Sequence, residues 1–316
     1  MSDIKLLPLR ESDEGLYNDF VEQSINGTFY HNLSFIKLYG CKAKRTITVV
    51  FKKRDKIMSV LAGGIIENNG SLTFSSPFSA SFTGFCYSKE VKLRDAFDII
   101  ALLETHLKSN GISEVTLQHP PIIYCNSLDE RFDFALNYSG FKIGTADLTF
   151  YIESLSAISS SVLRNVKKAE ASGLLFRETE ECERVWNFLR QQKSKKGVYF
   201  SISLNELKSL KDIFKEKVRF FGVYKGGELL SAMILYCLNR NTALGFTWAQ
   251  CEEYQILRPT DYLIYNVSRV VFAEGYRFFD LGTGTIGGEP VWGVTRFKEN
   301  YSPGSAMRKK YIKTLS

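Results

Sequence analysis

Residues 277–301 read RFFDLGTGTIGGEPVWGVTRFKENY. RFFDL is a short β-type run carrying one carboxylate, Asp280, and glycines follow at Gly282, Gly284, Gly287 and Gly288. A turn this rich in glycine lets backbone come close to a ligand. Gly282, Gly284 and Gly287 also fit the G-x-G-x-x-G spacing of a dinucleotide-binding turn. That spacing has mechanical meaning only where the turn opens a helix whose N-terminus faces a pyrophosphate. Gly288, Pro290 and Gly293 come next, so no helix is expected to start there, and the dinucleotide reading is set aside. Beyond them stand Thr295-Arg296-Phe297-Lys298, two cations around a phenylalanine, then Tyr301 and a Pro303-Gly304 turn. A ligand site is expected in this stretch, with the rest of the chain as its scaffold.

The chain has 316 residues, 44% hydrophobic and 24% charged, which suits a globular protein of two ordinary domains. A formal charge of +7 suggests affinity for polyanions such as nucleotide phosphates, CoA or RNA, with a solvated basic surface as the alternative. No DNA partner is expected. Six cysteines at 41, 86, 125, 182, 237 and 251 form no C-x-x-C pair, and only three histidines accompany them. Reduced thiols and no metal site are therefore expected. The N-terminus MSDIKLLPLRESDEG has no basic start followed by an apolar run, and no segment reaches the length of a membrane span. A cytoplasmic location is expected.

Along the first half, Asp13–Ser24 reads as a helix with Leu16, Phe20 and Val21 on one face. Asn32 or Ser34 caps a second short helix, closed by Gly40. Strands over 45–51, 57–66 and 71–74 follow, then an amphipathic helix over 91–109 with Phe97, Ile100, Leu103 and Leu107 in helical register. Asn110-Gly111 ends it, and 115–117 is a further strand. The order helix, helix, antiparallel strands, helix, strand is α/β with a mixed sheet.

That order returns in the second half. Phe20-Val21-Glu22-Gln23 has its counterpart in Phe188-Leu189-Arg190-Gln191, and Gly27 with Phe29-Tyr30 in Gly197 with Tyr199-Phe200. Val50-Phe51-Lys52 parallels Val223-Tyr224-Lys225, and Asn110-Gly111-Ile112 parallels Glu274-Gly275-Tyr276. A repeat of roughly 170 residues implies duplicated domains rather than a solenoid. A helix over 131–138, a turn at Gly140-Phe141 and a strand over 148–152 complete the first domain, expected to span 1–152; the second spans 153–316. The linker 153–161 is serine-rich. It leads to a helix over 162–172, VLRNVKKAEAS, in which Arg164, Lys167 and Lys168 share one face. That face is either a solvated surface or a phosphate contact.

Leu163-Arg164-Asn165-Val166-Lys167-Lys168-Ala169-Glu170 with Gly173 resembles the basic RRNIRKAEKxG helix of the Fem family of peptidyltransferases. Two further stretches carry the same resemblance to the wider FemAB-like set of tandem GNAT-fold acyltransferases. They are Arg258-Pro259 before a long helix leading to Gly275-Tyr276-Arg277-Phe278-Phe279-Asp280-Leu281-Gly282, and Phe297-Lys298. The resemblance implies two tandem GNAT-like domains, each a mixed, mostly antiparallel sheet flanked by helices, with a substrate cleft between them. It also implies transfer of an acyl or aminoacyl group to an amine. Two departures stand out. Family members that build peptidoglycan cross-bridges often carry a long coiled-coil arm suited to tRNA, whereas 201–217 here is one short basic-amphipathic helix. The acetyl-CoA loop R/Q-x-x-G-x-G/A of GNAT enzymes is replaced by Gln255-Ile256-Leu257-Arg258-Pro259-Thr260, where Pro259 suits a first helical turn.

Aminolysis of an activated ester needs the amine positioned and deprotonated, the oxyanion stabilised and the leaving group neutralised. No Ser-His-Asp or Cys-His spacing stands out, so direct attack is expected. By resemblance Lys298 holds the Phe-Lys position, where a cation would stabilise developing negative charge or hold a phosphate; the other reading is an exposed lysine after a strand. Asp280 would orient the amine or take its proton, or else cap a turn. Arg164, Lys167, Lys168, Arg258 and Arg296 are candidate phosphate binders, Gly282 and Thr283 candidate backbone contacts, and Trp292 and Tyr301 either cleft walls or core. No tightly bound cofactor is expected, the acyl donor being aminoacyl-tRNA or acyl-CoA. The acceptor would be a phosphate-bearing cell-envelope precursor, a nucleotide-linked peptide or amino sugar. An acyl-CoA-dependent N-acyltransferase of surface polysaccharide or small-molecule synthesis, and a non-catalytic anion-binding module, stand as alternatives.

Overall fold

Alternating apolar residues and regularly spaced turns give this chain its strands. A computed structural model describes residues 3–68, 70–302 and 304–315. In chain order the elements are β1 (Ile4–Pro8), α1 (Glu14–Gln23), α2 (Leu33–Tyr39), β2 (Arg45–Lys53), β3 (Lys56–Asn68), β4 (Ser71–Ser76), β5 (Cys86–Tyr87), α3 (Leu93–Ser109), β6 (Glu114–Gln118), α4 (Arg131–Tyr138) and β7 (Lys142–Ile152). There follow α5 (Ser160–Ala171), β8 (Leu175–Thr179), α6 (Cys182–Lys195), α7 (Leu204–Phe214), β9 (Val218–Lys225), β10 (Glu228–Cys237), β11 (Thr242–Gln250), α8 (Pro259–Ala273), β12 (Phe278–Thr283), β13 (Thr285–Ile286), β14 (Glu289–Pro290), α9 (Trp292–Glu299) and β15 (Gly304–Thr314). The chain divides into two compact units, Met1–Asp147 with Met307–Ser316, and Leu148–Ala306.

In the first unit the strands run β1-β2-β3-β4-β6-β15. All neighbours are antiparallel except β4 and β6, which are parallel from Thr73↔Glu114 to Ser76↔Leu117. In the first turn of α3 stands Asp95, whose carboxylate accepts from the Lys92 amide at 3.0 Å and from Lys53 Nζ at 2.8 Å. Its Ile99, Ile100, Leu103 and Leu107 are buried, and Gly111 at φ +74 turns the chain out of it. The core joins this face to Phe51, Phe74, Val115, Phe132, Tyr311 and Leu315. At ~1.5–3 kcal/mol for each fully buried large apolar side chain, this cluster is the main stabiliser of the unit.

In the second unit the order is β8-β9-β10-β11-β12-β7. Here β11 and β12 are the parallel pair, from Thr242↔Phe278 to Leu244↔Asp280, and α5 and α8 cover a core that includes Val166, Val223, Leu263, Val267 and Phe279. The two units thus repeat one topology, as the repeat in the sequence predicts. They differ from the expected split in one respect. The sequence reading places the boundary after residue 152 and the whole C-terminus in the second domain; the compact units divide after Asp147, and 307–316 return to the first. Each parallel pair needs one more antiparallel neighbour, and each receives it from the strand that closes the other half of the sequence.

Candidate active site

β12 alternates its side chains across the sheet, so Phe279 and Leu281 enter the core while Asp280 points to the opposite face. The parallel register with β11 reaches only to Leu244↔Asp280, although β11 continues to Gln250. On the other side the pairing with β7 shifts between Asp280↔Tyr151 and Thr283↔Thr149. Gly282 occupies that irregularity at φ +75, a conformation for which the lack of a Cβ is needed. β11 has its own irregularity beside it, since Ile234 faces Thr247 and Leu235 faces Gly245, leaving Phe246 extra. The sheet is therefore disrupted on both flanks of Asp280, and backbone groups are freed there.

Asp280 is fully buried. One of its oxygens accepts from Thr149 Oγ1 at 2.5 Å and from the Gly282 amide at 2.7 Å. After Gly284 the chain makes the hairpin β13–β14, Thr285 facing Pro290 with Gly287 and Gly288 at its turn, and then enters α9 at Trp292. The turn opens into a hairpin rather than a helix, as the proline and later glycines imply. α9 itself is an addition to the sequence reading. Its N-cap Val291 supplies no side-chain acceptor and Gly293 weakens its first turn, so local signals are poor. Tertiary bonds hold it: Thr295 Oγ1 donates to Gly284 O at 2.9 Å and Lys298 Nζ to Thr283 O at 2.7 Å. Gly284 permits the approach, because a Cβ there would lie 2.6 Å from the Phe150 ring and 2.9 Å from Thr295 Oγ1.

Lys298 is accordingly a buried lysine on a helix, 4% exposed, and not an exposed lysine after a strand. Its ammonium lies 5.3 Å from the centre of the Trp248 ring, and the position of a Cβ on Gly282 would be 3.6 Å from it. A carbonyl and an aromatic face compensate part of the desolvation of such a cation. Lys298, Asp280, Gly282 and Thr283 are thus brought together. Thr149 and Trp248, which sequence reasoning passed over, and Thr295, which it named beside Lys298 without a role, complete the surroundings. The only signal for Thr149 and Trp248 was position on β7 and β11, the strands that flank β12, and that required the topology.

Tyr301 lies in the core, fully buried, and its hydroxyl donates to Asp261. Burial, reinforced by the Asp261 carboxylate, holds its phenol well above the usual range, against the opposing charge of Arg258. Asp261 also accepts from Asn165 Nδ2 at 2.9 Å, which ties α5 to the first turn of α8. Arg258 caps α8 in the left-handed region, φ 60 and ψ 43, with Pro259 in the first turn as its fixed φ suits. Arg164, Lys167 and Lys168 stand exposed on α5, opposite the buried Val162, Val166 and Ala169, and have no ion pair among the described residues. Arg296 is exposed, and so is Trp292 at 64%. Pro303 of the expected Pro-Gly turn lies outside the described residues.

Two units of this kind, each a mostly antiparallel sheet with one parallel pair and helices on its faces, make a tandem GNAT fold. Residues 158–299 match the family model described as an acetyltransferase (GNAT) domain. Among solved structures, that of FemX is similar to the chain with a TM-score of 0.72 at 11% identity, covering 98% of this chain and 97% of the other. The C-terminal domain of a putative lysylphosphatidylglycerol synthetase from Agrobacterium fabrum gives 0.61 at 12% identity, covering 96% and 92%. A tandem GNAT protein from the clavulanic acid biosynthesis pathway gives 0.55 at 10% identity, covering 99% of each chain. No curated protein sequence matches. The expected tandem GNAT architecture is therefore the architecture of this chain. Among the described residues no helix is long and apolar enough to cross a membrane.

Proposed function

We propose that the protein is an acyltransferase that moves an acyl or aminoacyl group onto an amine of a cell-envelope precursor, a nucleotide-linked peptide or amino sugar. The observation that carries this reading is the packing of Lys298 and Asp280 around Gly282 and Thr283, at the point where β11 and β12 part. In this mechanism the acceptor amine attacks the donor carbonyl directly. The Lys298 ammonium stabilises the oxyanion or the departing group, and Asp280 orients the amine and receives its proton. Arg164, Lys167, Lys168, Arg258 and Arg296 supply cations for the phosphates of donor or acceptor. The FemX likeness favours an aminoacyl donor and an envelope acceptor. The acetyltransferase description of the family matched by residues 158–299 favours the second reading, an acyl-CoA donor.

The test is incubation of the protein with labelled aminoacyl-tRNA and, separately, labelled acyl-CoA, each with a panel of amines including nucleotide-linked peptides and amino sugars. Transfer from one donor identifies it. Lys298→Met is expected to lower kcat by about 10²–10³ with KM little changed, as for loss of one oxyanion donor, and Asp280→Asn to lower it comparably. Transfer from neither donor, with ligand binding untouched by Lys298→Met, would sink the catalytic reading in favour of an anion-binding module.

A further inference from the structure

β11 does not alternate evenly along its length. Ile234 faces Thr247 and Leu235 faces Gly245, so Phe246 is the extra residue of a bulge. Partners directly opposite in an antiparallel pair share a face, and Trp248 is paired with Met233. The bulge therefore returns Trp248 to the face of Gly245 and Leu235, whereas unbroken alternation would send it to the other side of the sheet. Met233, Leu235 and Phe279 belong to the core on that face, and Trp248 packs against it, partly buried. Gly245 makes the space. A Cβ there would lie 3.1 Å from Cζ3 of the indole, 3.4 Å from its Cε3 and 3.4 Å from the Phe279 ring. The six-membered edge of the indole thus lies against the β11 backbone, and the ring has little room to turn.

The indole held in this way faces an ammonium. Lys298 Nζ lies 5.3 Å from the ring centre, within the range of a cation–π contact, and donates to Thr283 O at 2.7 Å. Lys298 is 4% exposed, so water does little for its charge. A ring face and a carbonyl stabilise a buried cation without cancelling its charge, as a carboxylate in the same place would. Such a cation keeps its pull on an oxyanion that develops beside it. On the acyl-transfer reading of Lys298, on which the assignment rests, we propose that Trp248 is a positioning residue: its indole face holds the Lys298 ammonium, charged, at the parting of β11 and β12.

The test replaces Trp248 of the full-length protein, at that position alone, by mono-, di- and trifluorinated tryptophan. Each fluorine draws electron density from the ring face and leaves the shape nearly unchanged, so the series weakens a cation–π contact without removing the side chain. It is made twice, with Lys298 and with Lys298→Met. Denaturant midpoints require no substrate. They are expected to fall stepwise with fluorine where Lys298 is present and to stay level in Lys298→Met, the mark of a coupling between the two side chains. With the donor and acceptor found active in the transfer assay, kcat should fall in the same order, on the order of tenfold across the series, the size of a desolvated cation–π contact. KM should change little. A ring that only fills space gives neither trend. Equal midpoint trends in the two backgrounds, or a kcat indifferent to fluorine, overturn the proposal. Coupled midpoints in a protein that transfers from neither donor would instead overturn the acyl-transfer reading and leave the hold of Trp248 on Lys298 standing.

Discussion

Gly284 and Gly293 are nine residues apart in one stretch and answer to opposite demands. At Gly284 a methyl group meets the Phe150 ring and Thr295 Oγ1, so Gly284→Ala is expected to lower stability by about 1–3 kcal/mol, the usual cost of overpacking, and to loosen Lys298 with it. At Gly293 nothing lies within 4 Å, and Gly293→Ala should leave stability unchanged or raise it by up to about 1 kcal/mol. Denaturant melts of the pair, with equal m-values, check this. His31 carries a pH dependence. Burial, opposed by its hydrogen bond with Thr83 O, pulls its pKa down to about 4. Its Nδ1 accepts from the Thr28 amide at 3.2 Å, so protonation breaks that bond. The neutral form is the folded one. Stability from this group is therefore complete above the unfolded pKa near 6.5 and is lost as pH falls from there toward 4, by about 3 kcal/mol in all. Thermal melts between pH 7 and 4.5 should show a steeper decline for the native protein than for His31→Asn; equal slopes would refute the assignment.

At the scale of elements, periodicity and caps made most of the first half legible. Asn32 caps α2 through Ser34 N at 2.9 Å, and α4 spans the residues expected of it. The 162–172 helix begins two residues early, at Ser160, because Ser159 rather than the linker end supplies the cap. α9 was missed because tertiary contacts to Thr283 and Gly284 hold it, and a sequence window does not contain those contacts. The same limit applies to the candidate site. Asp280 and Lys298 stand out in the sequence as a carboxylate before glycines and a lysine after phenylalanine. Thr149, far away in the chain, does not, although its hydroxyl binds Asp280.

For the whole molecule, the duplicated order of elements is visible in the sequence, but the destination of each closing strand is not. β7 and β15 are both amphipathic runs after a short helix, and nothing in either names the sheet it joins. Tyr311 and Leu315 belong to the core of the first unit, and Lys310–Thr314 pair with Gln118–Glu114. A chain cut after Ala306 should therefore lose the order of the first unit, exposing the β6 edge and leaving Asp133 without Tyr311 and Lys309. Circular dichroism and amide exchange would check it: full protection over 45–118 in the shortened chain would refute the assignment of 307–316 to that unit.

The return of the C-terminal strand also bears on how the protein is made. Asp147 and Met307 are 160 positions apart, which at 5–20 residues per second puts roughly 10–30 s between synthesis of the first unit's body and arrival of its last strand. Throughout that interval the nascent first unit carries an open β6 edge, the kind of surface that captures neighbouring chains on a polysome. The second unit, whose β7 has already left the ribosome, meets no such delay. Order of emergence and order of completion are reversed in this protein, and a folding helper that recognises bare strand edges would find its substrate in the half that was synthesised first.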